Sequence, residues 1–165
     1  MLQKMYGMEM NVPAGKLPGF YAQLIHKIGD RVEVFDRDQT MFILDKPEQR
    51  EILRSLLAPY NMVGEEYDLW LLSVPVPAEE IVDYGFVSQA EHAYLFADTI
   101  DIFRFDSTKG SAEDRWAALQ QMQEHIIISL PESVKETLYL IDKNYTDLIG
   151  GIANAYAVGV DWIKL

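Results

Sequence analysis

A histidine and three aspartates near the middle of the chain have residue types suited to metal binding or proton transfer. The candidate set is His92, Asp98, Asp101 and Asp106, with Glu91 directly before the histidine. Clustered carboxylates can bind a divalent cation, and a neighbouring histidine can accept or pass a proton near neutral pH. A second interpretation places Asp98 in a turn and His92 at a strand end, which would separate them. We prefer the second interpretation and keep a metal-binding module or metal-assisted hydrolase as the alternative.

Other catalytic signatures are missing from the sequence. His26 and His125 belong to no HExxH or comparable metal motif, and the chain contains no cysteine. No serine lies in a GxSxG elbow, and neither GxGxxG nor GxxxxGK occurs. The sequence therefore predicts no catalytic residue and no cofactor, which favours a role other than catalysis.

Acidic residues dominate the middle of the chain. The net charge is -12, and the segment 55–103 holds nine acidic residues without a lysine or arginine. Nucleic acid is a poor partner for such a surface, because its binding depends on basic side chains that neutralise phosphates. The charge pattern favours a basic protein as the partner.

Tyrosines lie between these acids and supply possible interface anchors. Aromatic side chains carry much of the energy at protein interfaces, and a one-signed field steers an oppositely charged partner. The alternative is an acidic face that only keeps the protein in solution. The predicted partner-binding residues are Glu65, Glu66, Tyr67, Glu79, Glu80, Asp83, Tyr84 and Asp98.

Length and composition predict one soluble domain over residues 1–165. Half of the residues (49%) are hydrophobic, which is enough for a core without disulfides. The absence of cysteine suits a reducing cytoplasm. The N-terminal residues show no continuous apolar run, and no apolar run is long enough to cross a bilayer, so we expect neither a secretory signal nor membrane insertion.

Local patterns in the first two thirds of the chain predict helices between short strands. Proline at the first turn and an apolar stripe indicate helices over 17–29, with Gly29 as its C-cap, and 46–60. A short helix is predicted over 78–85. Strands are predicted over 31–35, 40–44, 67–73, 92–97 and 99–106, the third of them apolar on both faces like a central strand.

The last third of the chain is predicted to be mainly helical. Ser111 and Asp114 fit a capping box that begins a helix with Trp116 and Met122 on its apolar side. Pro131 is expected to begin a second helix, over 131–144. The segment 145–165 fits either a close-packed helix or a helix ending in a strand. The predicted fold is α+β: a small, mainly antiparallel sheet packed by helices, with a helical C-terminal third.

Two stretches resemble the SUKH superfamily. "LPGFYAQLIHKIG" is similar to the LPxxYxxxL helix that opens those domains, with Leu17, Pro18, Tyr21, Leu24 and Gly29 at matching places. "AYLFADTIDIFRFD" is similar to its paired strands, the second ending at Asp106. The resemblance covers about the first two thirds of the chain. It implies a bacterial immunity protein that binds a co-produced toxin, often a basic nuclease, and has no catalytic residues to carry over.

Charge pattern and resemblance together predict a cytoplasmic inhibitor protein. Its acidic, aromatic surface would occlude the active site of a basic toxin, which requires no metal, nucleic acid or membrane. A structural component of a larger assembly is a further alternative, for which the sequence offers no distinguishing feature.

Overall fold

Two antiparallel sheets organise the chain, where the sequence predicts one. The structure, a computed structural model, describes residues 2–15 and 18–164. The chain divides into a first unit, Leu2–Val76 with Gly85–Phe96, and a second unit, Pro77–Tyr84 with Ala97–Leu165. Both units combine helices with antiparallel strands, so the predicted α+β class is confirmed. The number of domains stays a prediction.

The first unit contains a six-stranded half-barrel with the strand order β2-β3-β1-β4-β6-β5. Its strands are β1 (Leu2–Met10), β2 (Asp36–Asp38), β3 (Met41–Leu44), β4 (Val63–Leu72), β5 (Gly85–Val87) and β6 (Ala93–Phe96). The predicted central strand is confirmed, because β4 pairs with β1 on one side and β6 on the other. The predicted strand 31–35 is wrong: the strand that pairs with β3 is Asp36–Asp38, a three-residue edge strand.

Each face of the half-barrel carries a buried apolar cluster, which accounts for strands such as β3 that are apolar on both faces. Met8 and Phe42 belong to a core cluster that includes residues of the helices α1 (Pro18–Arg31) and α2 (Pro47–Leu57). Met5, Ile43 and Leu69 belong to a separate cluster on the opposite face. Alternation along each strand therefore separates two apolar layers.

The two helices of the first unit largely follow their sequence signals. Pro47 begins α2, Glu48 lies in its first turn, and the α-helix ends at Leu57. The helix α1 begins at Pro18 but continues to Arg31, so the predicted cap at Gly29 is wrong. Gly29 is exposed inside the helix, where an added Cβ would meet no other residue's side chain within 4 Å. Val32, which follows the helix, donates its N–H to the carbonyl of Ile28 and joins the core.

The second unit contains a four-stranded sheet with the order β10-β7-β9-β8. Its strands are β7 (Ile100–Asp106), β8 (Ile126–Ser133), β9 (Glu136–Asp142) and β10 (Gly159–Ile163). Its helices are α3 (Ala78–Ile81), α4 (Ala112–Met122) and α5 (Thr146–Ala155). The predicted capping box is confirmed, since Ser111 and Asp114 bond each other's backbone N–H. Ala118 and Met122 form the buried side of α4, whereas Trp116, expected there, is 65% exposed.

The C-terminal third is mainly strands, so its predicted helical character is wrong. Residues 131–144, expected as a helix, form the end of β8, the hairpin turn, β9 and the start of a 3-10 turn. Leu130 lies opposite Leu138, and Ser133 opposite Glu136. Cross-strand pairing and burial of Leu138, Leu140 and Ile141 outweigh the helix-start signal of Pro131. The ambiguous segment contains both elements, α5 followed by the edge strand β10.

None of the helices within 2–15 and 18–164 is long and apolar enough to cross a membrane.

Candidate functional site

Three predicted partner-binding acids lie exposed on one short helical segment of the second unit. Glu79 and Glu80 are on α3, and Asp83 is in the turn that follows it. Ile81 is fully buried and anchors this segment, while Val82 is 70% exposed. Among the described residues, no ion pair involves any of these three carboxylates. We call Glu79, Glu80, Val82, Asp83 and Tyr84 the acidic α3 surface.

Tyr84 connects the acidic α3 surface to the end of β9. Its hydroxyl donates a hydrogen bond of 3.0 Å to Oδ2 of Asp142, whose Oδ1 accepts from the backbone N–H of Asn144. Burial and the Asp142 carboxylate raise the pKa of Tyr84. Asp142 thus adds a carboxylate to this region that the sequence analysis did not single out, because it lies 58 residues from Tyr84.

Glu66, a predicted acid on β4 in the first unit, has basic partners there, as does the neighbouring Asp68. Glu66 accepts a hydrogen bond of 2.6 Å from Nε of Arg54 and lies 3.6 Å from Nε of Arg50. Asp68 is paired with Arg50 and with Lys4. The Arg54 hydrogen bond holds the pKa of Glu66 below its usual value. The acidic run of the sequence is therefore partly neutralised at β4 by residues from α2 and β1.

Glu65 and Tyr67 are neighbours on the same face of β4. The Tyr67 hydroxyl donates a 2.6 Å hydrogen bond to the Glu65 carboxylate. This bond, with burial and the charge of Glu9, raises the pKa of Tyr67 to about 12. The phenol therefore stays protonated at neutral pH and contributes no charge. Asp98, the last residue of the predicted set, is exposed in the short 3-10 turn Ala97–Thr99 of the second unit.

The residues of the metal alternative have separate partners. The Asp101 carboxylate accepts a hydrogen bond from the Thr146 hydroxyl, and Asp106 accepts from the hydroxyl and the N–H of Thr108. His92 belongs to the first unit and lies 3.0 Å from a different carboxylate. Within the described part of the chain, no group of three or more histidines and acids could hold a metal ion.

A buried carboxylate that the sequence analysis did not select is the centre of a polar cluster in the first unit. Oδ2 of Asp36 accepts hydrogen bonds from the Ser88 hydroxyl at 2.6 Å and the Tyr94 hydroxyl at 2.7 Å. Nδ1 of His92 lies 3.0 Å from the same oxygen. The side chain of Asp36 is only 5% exposed. We call these four residues the Asp36 cluster.

Electrostatics keep the Asp36 carboxylate ionised and the Tyr94 hydroxyl protonated at neutral pH. Burial alone would raise the pKa of Asp36, but hydrogen bonds from Ser88, Tyr94 and His92 outweigh it and hold the pKa below its usual value. Burial and the bond to Asp36 raise the pKa of Tyr94. An ionised Asp36 can only accept hydrogen bonds, so His92 carries its proton on Nδ1.

The Asp36 cluster resembles a Ser-His-Asp triad in composition but not in connectivity. In a triad the serine donates to the histidine, which can then take up its proton. Here Ser88 donates to the same carboxylate oxygen as His92, so the serine is not activated as a nucleophile. The geometry instead joins the edge strand β2 to the β5–β6 turn, two regions at opposite ends of the strand order. The cluster thus links the two ends of the strand order through side-chain contacts.

The ring of His92 also contacts the side chain next to Asp36 in sequence. Phe35 stacks on His92 with ring centroids 5.2 Å apart and is 43% exposed.

The sequence pattern did not reveal Asp36 because its hydrogen-bond partners are 52 to 58 residues away, and "DRDQ" has the composition of an ordinary turn.

Comparison of the chain with family models, with curated proteins and with solved structures finds no match. The similarity to SUKH domains stays a prediction that depends on the two stretches quoted above. In the first stretch Leu17 lies outside the described residues, while Pro18, Tyr21 and Leu24 are on α1.

Proposed function

We propose that the chain is a protein-binding inhibitor of the immunity type, which captures a basic protein through the acidic α3 surface and blocks its active site. One observation carries the proposal: Glu79, Glu80 and Asp83 are exposed without an ion pair among the described residues, beside an exposed valine. Unpaired carboxylates can bind Lys or Arg of a partner without first breaking an internal ion pair.

The acids of β4 are weaker candidates for the same role. Glu66 would have to leave Arg54, and Glu65 would have to leave the Tyr67 hydroxyl, before either could bind a partner. Exposed ion pairs contribute little to stability. Breaking one therefore costs little free energy, but replacing it with an ion pair to the partner also adds little affinity. We therefore assign the steering role to the acidic α3 surface and Asp98, and a minor role to Glu65, Glu66 and Tyr67.

The first experiment is capture of partners from cells of the source organism. The purified chain is immobilised, and proteins retained at low and at high salt are identified by mass spectrometry. The test variant carries Glu79→Gln, Glu80→Gln and Asp83→Asn. The control variant carries Glu33→Gln, Glu48→Gln and Glu51→Gln, which removes the same number of exposed charges from the first unit. We expect one basic protein that the control retains and the test variant loses.

Rates of association then test the electrostatic mechanism with the purified partner. Steered association slows as salt rises, and we expect the test variant to bind roughly tenfold more slowly at low salt than the control variant. Inhibition is tested by expressing the partner alone and together with the chain. An association rate that is indifferent to salt, or equal in the two variants, would rule out the acidic α3 surface as the contact.

A further inference from the structure

A groove in the second unit has features of an interaction surface. It lies beside α4 and the turn of the β8–β9 hairpin and has a volume of about 570 Å³. Half-buried Phe105, Leu119 and Tyr139 contribute apolar surface to its lining. Trp116, which also lines the groove, is 65% exposed. Tryptophan is enriched among the residues that contribute most to protein interfaces.

The hairpin turn beside the groove has a second exposed apolar side chain. Ser133 and Lys135 line the groove, and Val134 between them is fully exposed, at 104% of its reference area. Leaving a large apolar side chain in water forgoes the free energy of its burial. Burial of Trp116 and Val134 against another molecule would therefore be favourable, which marks this surface as an interaction site.

The charges of the groove are balanced, unlike those of the chain as a whole. Its lining contains three basic residues, Arg104, Arg115 and Lys135, and three acidic ones, Asp106, Glu136 and Asp161. Arg104 is paired with both Glu136 and Asp161. A strongly basic or acidic partner would gain no long-range attraction from such a lining. Across a two-fold axis, a lining with both charges can bring opposite charges together, whereas a one-signed lining would bring like charges together.

We propose that this groove is the contact surface of a homodimer. Across a two-fold axis, Val134 of each copy packs against Trp116 and Leu119 of the other. Lys135 faces Asp106 of the opposite groove, the lining carboxylate that Arg104 does not engage. The chain carries a net charge of -12, so two copies repel each other and need a contact region that is not acidic. The acidic α3 surface is not part of this contact and stays available to another protein.

The groove and hairpin turn are smaller than the interface of a permanent dimer. Stable complexes bury about 800 Å² on each partner, and smaller contacts belong to weak or transient complexes. We therefore expect a reversible dimer with a dissociation constant on the order of 10 µM.

Sedimentation velocity of the full chain tests the dimer over protein concentrations from about 1 to about 200 µM. We expect the wild-type chain to shift from monomer to dimer across this range. Trp116→Ser and Val134→Ser should each raise the dissociation constant roughly tenfold or more. The matched control is Val82→Ser, which removes an exposed valine from the acidic α3 surface and should leave dimerisation unchanged.

Amide hydrogen exchange locates the contact independently of the variants. Peptides covering 112–122 and 131–137 should exchange more slowly at high than at low protein concentration, while 78–84 should not change. A chain that stays monomeric throughout, or a dimer that persists in both groove variants, would overturn the proposal. A monomer would leave the groove to a partner of different sequence, and a dimer with protected 78–84 would place the contact on the acidic α3 surface.

Discussion

Asp36 is the residue whose environment most constrains the first unit. One carboxylate oxygen accepts hydrogen bonds from Ser88, Tyr94 and His92 inside the fold. Asparagine at position 36 would face these three donors in one of two amide orientations. One orientation presents an N–H₂ group, which is itself a donor, and the other presents a neutral and therefore weaker acceptor. Buried donors that lose their acceptor cost free energy, because water cannot replace it.

We expect Asp36→Asn to lower the free energy of unfolding by about 3 kcal/mol. The measurement is urea denaturation at pH 7. Asp38→Asn, two residues away, is the control: burial and the charge of Asp36 raise the pKa of Asp38, so removing its charge should not destabilise the fold. Equal losses in the two variants would contradict a special role for Asp36.

Comparison of the wild type with Asp36→Asn also reveals how the stabilising effect of the Asp36 cluster depends on pH. The pKa of Asp36 is lower in the folded state than its ordinary value of 3.8. Its contribution to folding stability is therefore complete above pH 3.8 and is lost as the pH falls through the pKa of the folded state. The difference in unfolding free energy between wild type and Asp36→Asn should shrink as pH falls below about 4 and Asp36 becomes protonated. A difference that does not change down to acid unfolding would show that Asp36 does not titrate with folding.

At the scale of single elements, the strand pair β5–β6 depends on one glycine. A Cβ atom at Gly85 would lie 1.8 Å from the carbonyl oxygen of Tyr94, which is backbone and cannot move aside. The same strand leads to Ser88, and Tyr94 is on β6, so a displaced β5 would also disturb the Asp36 cluster.

Gly85→Ala should therefore lower the free energy of unfolding by about 1–3 kcal/mol. Gly29→Ala is the matched control in α1, where a Cβ would meet nothing within 4 Å. Alanine favours a helix over glycine, so the control should raise stability by up to about 1 kcal/mol. Both are measured by urea denaturation, and the same sign in the two variants would contradict the close approach of β5 and β6.

Elements with several local signals were predicted correctly from the sequence. Pro47 and Glu48 mark the start of α2, and Ser111 with Asp114 marks the start of α4; each signal acts within one helical turn. The hairpin β8–β9 was missed because Pro131 resembles a helix start, whereas strand pairing depends on residues across the turn. The predicted apolar side of α4 was right for Met122 but wrong for Trp116, which lies off the buried stripe of Ala118 and Met122.

For the whole molecule, net charge gives the two proposed contacts opposite responses to salt. Two copies of charge -12 repel each other, and salt screens that repulsion. Raising salt from about 20 to about 150 mM should therefore strengthen the dimer several-fold, as measured by sedimentation. The same change should slow the association of the basic partner. A dimer that weakens in parallel with partner binding would indicate that both use the acidic α3 surface.

The sequence by itself determined the acidic charge, its concentration over 55–103, the α+β class and the helices with clear caps. These properties depend on composition or on residues within a few positions of each other. The tertiary structure decided which acids form ion pairs. Glu66 is paired with Arg54. The carboxylates of Glu79, Glu80 and Asp83 have no ion pair among the described residues. The tertiary structure also brought Asp36 to partners more than fifty residues away. Such pairings depend on strand order and sheet curvature, which no local pattern encodes.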